Sequence, residues 1–299
     1  MGNTDTDHEL KPPVLCIGAT RSGTSMLVRM LGGLPGCCCW YEPNALWRTG
    51  HARRDHDAAD ERDAGPWVRR WIRKRFAAYQ RDAGGARVIE KSPYNVLKIP
   101  FVHAVFPEAR LVHIYRDGRA NLRSQVEMSD TYKAWGDQTP RGHLRRRLAE
   151  LPPWEWPSYL PRTAGSLIRS RLLGKPVSWF GLRYPGWRED RRTLSAPEIA
   201  AKQWVAAVET ALRDLERIDP AVWIHVRYED LVAEPRPQFE RIIEHCGLQA
   251  DDAFWERVDE RVHGRSVHRW EQELDPDALE RAMPTLRPTL CRLGYLQEG

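Results

Sequence analysis

The chain predicts an α/β protein: a parallel sheet of the phosphate-loop type, flanked by helices on both faces and carrying a Trp- and Pro-rich insertion. Three observations lead there. Short apolar runs alternate with longer stretches of helical period, the runs read as strands buried on both faces, and a glycine-bracketed turn joins the first run to the first helix. The first run, near 13–18, is a block of Val, Leu, Cys and Ile. The others lie near 37–41, 86–90, 110–115 and 222–227. Helical spacing marks 24–33, 66–80, 95–105, 117–128, 197–218, 236–246, 251–262 and 275–292. No internal repeat or second autonomous unit is evident, so the 299 residues read as one domain, with 130–195 as an insertion.

The turn after the first run carries the chemistry. Gly18 and Gly23 occupy the two glycine positions of the G-x-x-x-x-G-K-[ST] phosphate loop, but Thr24 stands where that motif places lysine. Backbone N–H groups and hydroxyls of Ser22, Gly23, Thr24 and Ser25 are suited to a phosphate at the positive end of a helix. The point charge that reaches the outer phosphates of ATP or GTP is missing, and Arg21 is the one cation inside the loop. An anhydride other than a nucleoside triphosphate fits better.

Thr20-Arg21-Ser22-Gly23-Thr24-Ser25 resembles the 5′-phosphosulfate loop of sulfotransferases that use 3′-phosphoadenosine-5′-phosphosulfate (PAPS). A second block agrees, because Arg116 follows the strand-like run 111–115 and Ser124 stands eight positions on, as in the family's 3′-phosphate site. Lys91, in Lys91-Ser92-Pro93, resembles a lysine that several branches place near the transferred sulfuryl group. The 223–231 stretch is similar to the family's strand ending in Tyr-Glu-Asp, which implies that Tyr228 approaches the adenine. Gly264–Trp270 sits where the family has a basic loop over the 3′-phosphate, making Arg265 and Arg269 candidates.

One departure matters. The phenol and steroid branch has a catalytic histidine two residues after that lysine, and here the position is Pro93. Glu42 lies 21 residues after Arg21, an offset similar to that of the catalytic glutamate in tyrosylprotein sulfotransferases. The resemblance thus implies Glu42 as general base, with Glu90 as a competitor that is expected to pair with the adjacent Lys91 instead.

Composition bounds the rest. The net charge of +5 is almost entirely arginine, 39 of 46 basic residues, scattered among acids without a zinc-finger, homeodomain or aromatic RNA-binding motif, so no nucleic-acid partner is expected. Cys37-Cys38-Cys39 lacks zinc-ligand spacing, no metal is expected, and Cys16, Cys246 and Cys291 read as core. The polar, acidic first residues show no signal-peptide pattern and no apolar run reaches membrane-spanning length, so the expected location is cytoplasmic. In the insertion, Arg145-Arg146-Arg147, Trp154, Trp156, Trp179-Phe180 and Tyr184-Pro185-Gly186-Trp187 suggest a lid or an acceptor surface, or else the insertion's own small core.

The resemblance implies transfer of a sulfuryl group from PAPS to a hydroxyl or amine of a small-molecule, glycan or lipid acceptor, with release of 3′,5′-ADP. Arg21 and Lys91 would stabilise developing charge. Two rivals differ in class: a phosphate-loop phosphoryl transferase, which the missing loop lysine disfavours, and a non-catalytic adenine-nucleotide or glycan-binding protein, which only turnover distinguishes.

Overall fold

The computed structural model describes residues 10–135, 148–157 and 181–297. A five-stranded sheet forms its centre: β1 (Val14–Ile17), β2 (Cys37–Tyr41), β3 (Arg87–Lys91), β4 (Arg110–Tyr115) and β5 (Trp223–Arg227). The strand order is β2-β3-β1-β4-β5 and every neighbouring pair is parallel. Each strand lies within one residue of its sequence expectation.

The period-two alternation of strand side chains divides the interior into two layers. Leu15, Ile17, Val88 and Leu111 face one core, while Val14, Cys16, Ile89 and Val112 face the other. Over the first face lie α2 (Pro66–Asp82), α3 (Ile99–Val105), α4 (Gly118–Trp135), α5 (Trp187–Thr193), α6 (Ala196–Leu215) and, later in the chain, Pro276–Arg292. The second face is covered by α1 (Thr24–Leu31), α7 (Tyr228–Ala233), α8 (Pro235–Cys246) and α9 (Asp252–Arg261). A short α10 (Arg269–Glu273) precedes the last helix, α11 (Pro276–Arg292).

Four details differ from expectation. The helix anticipated at 95–105 is split into a 3₁₀ turn, Pro93–Leu97, and α3, because Lys98 adopts an extended φ of −151° between two proline-led turns. Helix α4 runs on to Trp135 and so absorbs the first residues of the anticipated insertion. The helices α5, α7 and α10 have seven, six and five residues, too few to show a helical period in the sequence. Cys16 and Cys246 are buried as expected, but Cys291 is half-exposed, since the buried stripe of α11 runs through Ala278, Ala282, Leu286 and Leu290 and passes it by.

The insertion's aromatics divide. Trp187 joins the main core and donates its indole N–H to the Asp55 carbonyl at 2.9 Å, whereas Trp154 and Trp156 are exposed. Arg145–Arg147, Trp179 and Phe180 lie outside the described residues. Among the described residues no helix is long and apolar enough to cross a membrane.

The turn leaving β1 tolerates no side chain at Gly18: a Cβ there would lie 2.3 Å from the Ile114 carbonyl oxygen and 3.0 Å from Thr24 Cγ2. Gly18→Ala is therefore expected to destabilise the fold by about 1–3 kcal/mol, the range for overpacking, measurable as a lower urea midpoint.

Candidate active site

The chain leaves β1 toward β2 on one side and leaves β4 toward β5 on the other, so the carboxyl ends of β1 and β4 flank a topological switch point, where α/β sheets bind ligands. The loop after β1 is closed by the Ser22 N–H bond to the Ala19 carbonyl, 3.2 Å. Its hydroxyl is buried and accepts from the Asn121 amide at 3.2 Å, while the same amide donates to the Thr20 carbonyl at 2.7 Å. Ser22 thus ties the loop to α4 through Asn121, its N–H bonded to Ala19 and its hydroxyl oxygen accepting from the amide. The N–H groups of Gly23, Thr24 and Ser25 head α1 and have no protein acceptor among the described residues. Gly23 holds φ at 95°, and a Cβ on it would meet the Tyr228 ring at 2.5 Å.

Arg116 follows β4 and is 7% exposed. Its Nη2 donates to the Ser266 carbonyl at 2.5 Å, its guanidinium lies 4.5 Å from the Tyr228 ring centroid, and the Trp204 indole fixes its backbone carbonyl at 3.1 Å. No carboxylate pairs with it among the described residues, and its buried Nε–H has no partner. Burial draws its guanidinium below the ordinary arginine range, a shift that an anion would reverse. Arg21 donates from Nε to the Ser124 hydroxyl at 2.9 Å, bringing loop and α4 together.

The late loop does reach this place, but through Ser266, which also shares a hydrogen bond of 2.9 Å with the Tyr228 hydroxyl. Arg265 is exposed. Arg269 is exposed and donates to Glu273 one helical turn on, at 2.8 Å. Tyr228 packs between Gly23 and Arg116, tying the loop after β1 to the end of β4.

On the other side of the sheet edge, β2 and β3 pair Tyr41 with Lys91, and the ladder continues one residue further as the Glu42 N–H donates to the Lys91 carbonyl at 2.9 Å. Lys91 Nζ meets Glu42 Oε1 at 2.5 Å and lies 4.7 Å from the Tyr41 ring. The hydroxyls of Tyr41 and Ser25 are 2.8 Å apart, so the Glu42–Lys91 pair adjoins the loop after β1. The pairing expected between Glu90 and Lys91 does not form. Consecutive strand residues point to opposite faces, and Glu90 is fully buried beneath the sheet, accepting from the Trp47 indole at 3.0 Å. It is out of reach of an acceptor.

Among the described residues, only Arg21 (φ 67°) and Glu42 (φ 56°) adopt left-handed backbone without being glycine. Such conformations cost about 1–3 kcal/mol and persist where function or surrounding contacts demand them. Tyr41, Asn121 and Ser266 were not anticipated. Strand register identifies Tyr41 once β2 and β3 are paired, but no short motif marks the other two.

A profile described as the sulfotransferase family matches residues 12–154 and 170–252. The chain is also similar to the omega-hydroxy-beta-dihydromenaquinone-9 sulfotransferase Stf3 of Mycobacterium bovis and of Mycobacterium tuberculosis, 23% identical over 171 residues, which is 57% of this chain and 31% of theirs. The match thus spans about a third of the length of those relatives. Solved structures with a similar fold include the sulfotransferase domain from the curacin biosynthetic pathway, 12% identical with a TM-score of 0.52 over 93% of this chain and 98% of that one. A sulfotransferase from Alicyclobacillus acidocaldarius is 14% identical with a TM-score of 0.50 over 95% of each chain.

Burial pushes the Glu90 carboxyl up to about 7. Between the ordinary carboxylate range and that value the folded chain keeps a proton that the unfolded chain has released, so stability falls as pH rises through this window. Glu90→Gln stays neutral throughout. It is expected to melt a few degrees higher than the parent at about pH 8 and at the same temperature near pH 4, as read by calorimetry.

Proposed function

The chain belongs to the sulfotransferase family, and from that premise we propose that it transfers a sulfuryl group from PAPS to an acceptor hydroxyl or amine and releases 3′,5′-ADP. The observation that carries the donor assignment is Arg116: a buried guanidinium with no carboxylate partner among the described residues and an unpartnered Nε, next to a loop whose N–H groups are open. Such a cation suits an anion that the protein does not itself supply.

In this reading Ser22, Gly23, Thr24 and Ser25 hold the 5′-phosphosulfate, and Arg116 with Ser124 holds the 3′-phosphate. Arg21 bridges the two, as its bond to Ser124 suggests. PAPS supplies the activated sulfuryl group. Glu42 removes the acceptor's proton, and Lys91, already on Glu42, is in position to share its charge with sulfuryl oxygens as negative charge builds. The acceptor is proposed to approach from the β2–β3 side, where the loop after Glu42 and residues 148–157 meet. The Stf3 relatives are named for a hydroxylated dihydromenaquinone, which favours a lipid hydroxyl among the acceptors considered.

Two outcomes test donor and chemistry separately. A charge-assisted hydrogen bond is worth ~1.5–3 kcal/mol, so by calorimetry 3′,5′-ADP is expected to bind roughly 10- to 100-fold more tightly than 5′-ADP, and Arg116→Ala to remove most of the difference. Equal affinities in the parent protein would sink the 3′-phosphate site. Glu42→Gln keeps size but accepts no proton, so single-turnover transfer should slow by roughly 10²–10⁴-fold while 3′,5′-ADP affinity holds. A near-normal rate would show that the base lies elsewhere.

A further inference from the structure

Helix α2 has two faces. Val68, Ile72 and Phe76 pack into the core. Trp67, Arg70 and Lys74, spaced by three and four residues, form a second, exposed stripe, with half-buried Trp71 between it and the core. Trp67 is 43% exposed, and Arg70 and Lys74 are exposed with no partner among the described residues.

Trp154 completes the stripe. It is 63% exposed, and its ring stands edge-on to Trp71 at 5.6 Å and to Trp67 at 6.1 Å. Of the four large apolar side chains most exposed among the described residues, Trp67, Trp154 and Trp156 belong to α2 or to the segment 148–157. Single exposed aromatics need no explanation, but a cluster does.

The neighbouring carboxylates do not neutralise the cations. Glu108 is taken by Arg73 and Asp63 by Arg54, and Glu155 accepts from the Gly50 N–H at 2.8 Å. The patch therefore joins indole rings to uncompensated positive charge. Indoles settle at the boundary between headgroups and acyl chains, and lysine and arginine beside them attract anionic headgroups.

We propose that this surface docks on an anionic lipid bilayer. The segment bearing Trp154 is tied to the loop after Glu42, because the Ala45 N–H donates to Glu150 Oε2 at 2.9 Å and the Gly50 N–H to Glu155 Oε1. Docking thus brings the Glu42 side of the sheet edge to the lipid–water boundary, where an amphiphile presents its hydroxyl. That consequence for the acceptor rests on the proposed function, while the docking itself does not.

The test is cosedimentation of the full chain with phosphatidylcholine vesicles, with and without phosphatidylglycerol, at low and high salt, alongside 3′,5′-ADP titration. The protein is expected to pellet with the phosphatidylglycerol vesicles and to be released by salt. Arg70→Glu with Lys74→Glu is expected to weaken vesicle binding by at least about tenfold, and Trp67→Ala with Trp154→Ala to weaken it as well, with 3′,5′-ADP affinity unchanged in both. A parent protein that stays in the supernatant with both vesicle types overturns the proposal. So does a charge-reversed variant that pellets like the parent, or a parent that binds polyglutamate and ignores vesicles. Pelleting without 3′,5′-ADP binding would strike the donor assignment and leave the docking surface standing.

Discussion

An arginine held in the interior with no carboxylate partner among the described residues is the constraint around which this end of the sheet is arranged. Burying a cation without an opposite charge is costly unless its donors are met. Arg116 is met by a carbonyl from the 264–266 turn, a ring from α7 and, through its own backbone, an indole from α6. Three separate elements hold one guanidinium in orientation and leave its charge unspent. Arg21, by contrast, is exposed, and its Nε rests on a neutral hydroxyl. Asn121 then pins the loop to α4, so the donors are fixed before any ligand arrives, which is the condition for electrostatic stabilisation without reorganisation.

Glu42 depends on a different scaffold. A left-handed residue at the end of an edge strand must be over-determined by its surroundings. The pairing with Lys91 and the extra ladder bond hold it from one side. From below, Trp47 anchors the following loop: its indole donates to buried Glu90 and its carbonyl accepts from buried Lys98 at 3.0 Å. Burial draws the Lys98 ammonium down to about 7, so the acid and the base on either side of Trp47 both sit far from their ordinary ranges. Neither is exposed to an acceptor.

The sheet was legible because buried parallel strands leave apolar runs that few other structures produce, and the phosphate loop because Gly18 and Gly23 meet close contacts that exclude every larger residue. Motif spacing pointed to Arg116, Ser124 and Lys91, and Arg116 and Lys91 do stand at the carboxyl ends of their strands. It could not find Ser266, because the eye is drawn to the arginines on either side of it, nor Asn121, whose role is to hold backbone and not ligand. Side-chain direction was the other blind spot. Adjacent in sequence, Glu90 and Lys91 suggested a pair, yet strand parity sends one to the interior and the other to the rim. At the break, the Lys98 ammonium reaches the Trp47 carbonyl and the His51 ring, contacts about fifty residues away in sequence that no local pattern encodes.

The strand order also divides labour along the sheet edge. Glu42 and Lys91 come from β2 and β3 at one end, whereas Arg21, Arg116 and Tyr228 come from the loops after β1, β4 and β5. On the proposed roles, donor recognition and acceptor handling occupy adjoining but separate stretches of one rim, joined through the β1–β3 ladder and the Tyr41–Ser25 bond. A lineage can then exchange acceptors by drift in residues 43–57 and 148–157 without solving the donor problem again. The same boundary tells a protein engineer where to randomise and where to leave the chain alone.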